Sequence, residues 1–158
     1  MTIFKSSGRS GEWTLLVDTF NKEILAHQAT PIQGSTKPYY HCLEQLKLLV
    51  GKKNEEQTPQ VVLHTDQGSV YSSQAFRQAH EYYNILRSMS RVGTLTDNAE
   101  IEAINGWIKE ELLLDFGLAT AKDVPKLLDN YVHYYNYEQP AAALGYKSPV
   151  QYKTELGF

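Results

Sequence analysis

With 158 residues, 42% of them hydrophobic, the chain is sized for one domain with a buried core, which excludes a disordered reading. A formal charge of -3 and a pI near 5.9 argue against a free-standing nucleic-acid-binding module, leaving such contact to local patches. The single Cys42 excludes an internal disulfide and a cysteine-rich zinc cluster, and His27, His41, His64, His80 and His133 show no paired ligand spacing, so carboxylates must hold any metal. No apolar stretch reaches the length of a membrane span, and MTIFKSSGRSGEW lacks the basic-then-apolar order of a signal peptide; the expected location is cytoplasmic.

TIF at 2–4 is a candidate first strand. EWTLLVDTF (12–20) and KEILAHQAT (22–30) mix β-branched and apolar residues across a turn at Asn21-Lys22, which predicts a β-hairpin. After PIQGSTKP, the stretch YYHCLEQLKLLVG sets Leu43, Leu46, Leu49 and Val50 at helical spacing, with Gly51 as its stop. KKNEEQTP leads into QVVLHT, read as a buried strand, and SSQAFRQAHEYY reads as a helix capped by Ser72 or Ser73. ILRSMS (85–90) is a further strand. In DNAEIEAINGWIKEELLLDF, Ile101, Ile104, Ile108 and Leu112 form one helical stripe, and Asp97 and Glu100 have capping-box spacing. AKDVPKLLDNYVHYYNYEQ gives another helix with Pro125 in its first turn, its tyrosines packing on their own domain or, where exposed, offering an interface, and SPVQYKTELGF a short final one. Strands first, then alternation, then helices: the order predicts an α/β fold with a mixed sheet flanked by helices.

HTDQGS (64–69) raises the question of chemistry. Gly68 permits a sharp turn, and Asp66 follows a strand at the carboxyl edge of a sheet, where open α/β folds build their sites. On the long helix, Glu102, Asn105, Gly106 and Lys109 share a face distinct from the isoleucine stripe. A carboxylate for a metal, a glycine permitting close approach and a lysine for phosphate suit a nucleic-acid backbone, although a solvated helix face has the same pattern. Between Asp66 and Glu102 stand 35 residues, room for a helix, a strand and a loop.

HTDQGSVYSS resembles the second-aspartate motif of the retroviral-integrase-like catalytic core. SMSRVGTLTDNAEIEAINGWIKEEL resembles the loop and glutamate helix of bacterial insertion-sequence transposases of the orfB type, and LLVDTFNKEILAH and YYNYEQPAAALGYKSPVQY resemble their strands and tail. This resemblance implies a ribonuclease-H-like fold over residues 1–158, one integrase core domain, and DDE polynucleotidyl transferase chemistry in which two Mg2+ or Mn2+ ions serve DNA cleavage and strand transfer. It makes Asp66 and Glu102 the catalytic metal ligands, and Lys109, Arg91 and His64 the candidates for DNA contact. The implied partners are DNA, as element ends and target, and further copies of the chain assembled on it; no membrane partner is expected. A nuclease acting on RNA-DNA hybrids shares the metal chemistry, but the DNAEIE helix and YYN tail resemble transposases.

The departures are at the start and in the tail. The family's first catalytic aspartate would fall immediately before Met1, so the core is expected to be truncated at its first strand and to lack the helix-turn-helix region that recognises element ends. Asp18 matches a turn position in the family rather than a replacement ligand. Two divalent ions about 4 Å apart repel by roughly 17 kcal/mol at an effective dielectric near 20, so bridging anions must offset that. With Asp66 and Glu102 alone, the expected outcome is a folded core with little or no strand transfer; the alternative is a non-catalytic DNA-binding or oligomerising fragment. In the tail, Gln139 and Ala141 replace residues that are often Arg and sometimes His in the family, which puts DNA contact there in question.

Overall fold

The computed structural model describes residues 2–51, 61–66, 73–83, 85–90 and 99–158. Strands β1 (Thr2–Ser6) and β2 (Arg9–Val17) pair antiparallel around Ser7-Gly8, whose positive φ values of 48° and 75° match the right-handed twist of a two-residue hairpin. On its other edge β2 pairs with β3 (Ile24–Thr30), after a turn that Asp18 builds. The Asp18 amide donates to the Glu23 carbonyl, its carbonyl accepts from the Lys22 amide, and its Oδ1 accepts from the Phe20 amide at 2.8 Å. Asp18 is a turn residue, as its place in the sequence predicts.

Helix α1 (Lys37–Gly51) ends on the glycine predicted to stop it. β4 (Val61–Thr65) lies parallel to β5 (Ile85–Met89), and between them runs α2 (Gln74–Tyr83), where Ser73 Oγ accepts from the Phe76 amide. Ser73 is thus a capping residue; Ser72, Gly68 and Asp97 lie outside the described residues. The reading of QVVLHT as a buried strand is corrected: Val61 and Leu63 pack inward, whereas Val62 is 58% exposed. Among the described residues only one face of the β4–β5 pair is covered, so its residues alternate.

The remaining helices are α3 (Ala99–Leu114), α4 (Val124–Tyr137) and α5 (Pro149–Glu155). Asp123, which the sequence reading passed over, caps α4 by accepting from the Lys126 amide. Trp13, Leu15 and Ile24 pack against Ile108 and Leu112 of α3 and Leu128, Tyr131 and Tyr135 of α4. On the other face, Leu16 and Leu25 meet Tyr39, Leu43 and Leu46 of α1 and Phe76 of α2. The strands therefore sit between two helical layers, the mixed α/β arrangement expected. Ile108 and Leu112 are the buried members of the predicted stripe; Ile104 packs beside them.

Two polar residues of α4 and its exit are structural. Asn136 accepts from the Ile24 amide and donates to the Ile24 carbonyl, both at 2.9 Å. Gln139, 5% exposed, donates to Glu111 Oε1 at 2.6 Å, while the Tyr131 hydroxyl donates to Glu111 Oε2 at 2.6 Å. Gln139 faces the fold, not a DNA surface.

Two histidines make stability pH-dependent. His80 is 2% exposed, packed at a tilt against Phe76, and no hydrogen bond of good geometry reaches either ring nitrogen. Burial lowers its basicity, the Ile85 backbone opposes this in part, and the Arg87 charge lowers it further. Burial also lowers His27, against the opposing pull of Asp129. Both take up protons more readily unfolded, so their neutral forms favour the fold above about pH 6.5 and that contribution is lost as pH falls below it. The melting temperature is expected to drop between pH 7.5 and 5.5, and His80→Leu to shrink that drop; an equal drop in the variant would exclude His80 as a source.

Candidate active site

Among the described residues the strands form two sheets, β1-β2-β3 and β4-β5. Among the described residues β1 accompanies β2 as far as Thr2↔Trp13, leaving Thr14–Leu16 without a strand neighbour on that side, and β4 without one on the side away from β5. Between these open edges lies a cavity of about 240 Å³. Thr14, Leu15 and Leu16 form one wall and Leu63 to Asp66 the other; Ile101, Glu102 and Asn105 of α3 also line it, over Tyr39, Leu43 and Phe76.

Each carboxylate arrives by a simple route. Asp66 is the first residue past the end of β4, where the strand ceases and the side chain is exposed. Glu102 stands in the first turn of α3, where the unpaired amides of a helix start favour negative charge. That turn is tied to the β2–β3 hairpin by Lys22, whose ammonium lies 2.5 Å from the neighbouring Glu100. Asp66 and Glu102, with 35 residues between them in the chain, are thus brought to one cavity.

The lining is rich in oxygen. Asn105 Oδ1, Thr14 Oγ1 and Thr65 Oγ1 are buried without a hydrogen-bond partner. Two carboxylates, an amide carbonyl and hydroxyls form a donor set for a hard cation such as Mg2+ or Mn2+. No group of three or more His, Cys, Asp or Glu side chains suited to a metal occurs among the described residues. The residues fit a divalent ion, with two carboxylates to hold it.

The other predicted residues fall differently. His64 lines the cavity, but its Nδ1 lies 2.9 Å from Ser88 Oγ and its Nε2 3.2 Å from Ser90 Oγ. Lys109 is on the Glu102 face of α3, two helical turns and about 10 Å along, outside the cavity lining. Arg91 lies outside the described residues. Helical spacing put Asn105 beside Glu102. Nothing in the sequence marked Thr14, about fifty positions before Asp66, because its place in the wall depends on sheet pairing.

Residues 77–149 match the family described as integrase core domain, a span that holds Glu102 and Lys109 and begins after Asp66. The chain is 27% identical to the InsK protein of insertion sequence element IS150 from Escherichia coli (strain K12), over 98% of this chain and 53% of that protein. It is 33% identical to the transposase for insertion sequence element IS904 of Lactococcus lactis, over 87% of this chain and 52% of that one. The chain spans about half the length of these relatives. Among solved structures, the HTLV-2 integrase catalytic core domain in complex with magnesium aligns over 95% of this chain and 89% of its own, with a TM-score of 0.68 and 21% identity. A simian T-cell lymphotropic virus intasome structure aligns over 95% of this chain and 50% of its own, with a TM-score of 0.77 and 21% identity. The fold is the ribonuclease-H-like fold of those catalytic cores. No helix among the described residues is long and apolar enough to cross a membrane.

Proposed function

From the premise that this chain belongs with the bacterial insertion-sequence transposases that carry an integrase core, we propose that it is the catalytic core for DNA cleavage and strand transfer, with Asp66 and Glu102 as its metal ligands. The observation that carries this reading is the convergence of those two carboxylates on one oxygen-rich cavity. Asp66 offers its charge at a strand end and Glu102 at a helix start; Asn105 adds a neutral oxygen beside them. A bound Mg2+ or Mn2+ supplies Lewis-acid stabilisation of charge on the phosphodiester oxygens. Leu15, Leu16 and Leu63 make part of the wall apolar. Lys109 contacts the phosphate backbone of DNA lying along α3, positioning it without reading bases. The partners are DNA and further copies of the chain assembled on it, and Arg91 and His64 remain DNA-contact candidates. The working location is the bacterial cytoplasm.

Two carboxylates neutralise half the charge of two divalent ions. With those two carboxylates alone catalysis would be weak, and a paired-ion arrangement would need a third anionic group. The second reading, a non-catalytic DNA-binding or oligomerising piece, rests on this same count of two among the described residues.

Thermal melts with added Mn2+ test the site. At a concentration ten times its dissociation constant, an ion bound only to the folded state adds about 1.4 kcal/mol, or a rise of roughly 3 to 6 °C for a chain of this size. Asp66→Asn and Glu102→Gln are each expected to remove that rise. A rise that persists in both variants would place the ion elsewhere.

A further inference from the structure

We infer that His64 is a positioning residue, part of a brace with Ser88 and Ser90 that fixes the end of β4 and so the place of Asp66. The inference rests on the reading of Asp66 as a metal ligand and goes beyond the DNA-contact role considered for His64. His64 and Ser88 are partners in the parallel register of β4 and β5, one pair before the last, Thr65↔Met89. The imidazole spans from Ser88 Oγ at Nδ1, 2.9 Å, to Ser90 Oγ at Nε2, 3.2 Å. It thereby spans the end of β5, from Ser88 to Ser90 just past the strand, on the face opposite Val61 and Leu63.

Ser90 decides the proton positions. Its hydroxyl donates to the Thr65 carbonyl at 3.3 Å, and its amide donates to the same carbonyl at 3.0 Å. A hydroxyl has one proton, so Ser90 Oγ accepts from the ring, and Nε2 carries the hydrogen. Nδ1 is then bare and accepts from the Ser88 hydroxyl. One neutral tautomer satisfies every bond in the brace, and Ser90, 6% exposed, holds Thr65 from both its side chain and its backbone.

Thr65 immediately precedes Asp66, and the β4–β5 pair is only five residues long, with β4 unpaired on its other side among the described residues. A two-stranded pair of this length is marginal alone, and its end frays first. The brace adds three side-chain bonds at that end. Because metal sites tolerate little displacement of a ligand, loss of the brace lowers metal affinity before it lowers overall stability.

The test uses the full chain in four forms: unaltered, Ser88→Ala, Ser90→Ala and Ser90→Thr, with Asp66→Asn as control. The ring nitrogen shifts of His64, assigned with His64→Gln, are measured by NMR, and Mn2+ binding by EPR of the free ion. The expected result is a fixed Nε2-protonated tautomer and a Mn2+ affinity about 10-fold weaker in Ser88→Ala and Ser90→Ala at unchanged melting temperature, the low end of what losing a ligand's support costs. Ser90→Thr, which keeps the hydroxyl, restores the affinity. An averaged tautomer in the unaltered chain would overturn the brace itself. A fixed tautomer with equal Mn2+ affinity in the alanine variants would overturn its role in positioning. Mn2+ binding untouched by Asp66→Asn would show that the metal-ligand reading had failed first, and the positioning role would fall with it.

Discussion

A version of this chain extended upstream by one strand, with an aspartate immediately before Met1, is expected to nick supercoiled DNA in Mn2+ at least about 10³-fold faster than residues 1–158 alone. The factor follows from several kcal/mol of metal-borne charge stabilisation at 1.36 kcal/mol per tenfold in rate. The register of β1 on β2 says where such a residue would stand. Pairs run from Ser6↔Arg9 to Thr2↔Trp13, so continuing two steps sets the position before Met1 opposite Leu15. Antiparallel partners point to the same face, and Leu15 faces Ile108 of α3, the helix that bears Glu102. The lengthened β1 would also run between β2 and β4, along the edges that flank the cavity and are open among the described residues. Glu102→Gln in the extended protein is expected to return the rate to that of residues 1–158. Nicking by residues 1–158 themselves, lost on Glu102→Gln, would mean that another group completes the site. Asp18 is poorly placed for it, because its carboxylate is bonded into the β2–β3 turn and lies outside the cavity lining. Extended protein without activity would count against the DDE assignment wherever its DNA binding is intact.

What could be read without coordinates depended on the range of the interactions involved. Helix α3 was legible because its isoleucine stripe, its acidic first turn and its polar face all repeat at helical spacing, and spacing is local. The motifs singled out Asp66 and Glu102, and both line one cavity. The character of β4 was not legible: VVL looks buried, yet Val62 is open because the β4–β5 pair is covered on one side, a fact set by where α1 and α2 settle. The predicted β2–β3 hairpin is present, and a second one precedes it around Ser7-Gly8, where serine-glycine is turn chemistry but the short TIF run marks its first strand only weakly. The inward packing of Gln139 was not legible, because its partner Glu111 lies 28 residues earlier, on another helix. The wall formed by Thr14 was out of reach for the same reason: long-range pairing leaves no mark on the residue itself.

Asn136, in the YYN segment that resembles transposase tails, is expected to carry more stability than any exposed residue near it. Its amide stands in for a strand neighbour, accepting from the Ile24 amide and donating to the Ile24 carbonyl at a site where Asn136 is 6% and Ile24 3% exposed. Asn136→Ala leaves both backbone groups buried and unbonded, at about 1–3 kcal/mol each. A loss near 3 kcal/mol lowers the melting temperature by roughly 6 to 12 °C in a chain of this size. Asn136→Asp separates the two bonds. An ionised aspartate still accepts from the Ile24 amide but faces the Ile24 carbonyl oxygen with its own oxygen, whereas the protonated acid can donate to it. Burial and that oxygen both favour the neutral acid, so the folded pKa of the new side chain would be raised above its unfolded value near 3.9. Its contribution is then fully present below pH 3.9 and lost as pH rises through the folded value. Relative to the parent, which shares the histidine effects at low pH, Asn136→Asp should therefore recover part of its deficit as the medium is made acidic, while Asn136→Ala should not. Denaturant melts of the three proteins at pH 7 and pH 4.5 decide it. A pH-independent gap for Asn136→Asp, or a cost below about 1 kcal/mol for Asn136→Ala, would mean that α4 is held to β3 by its apolar face alone.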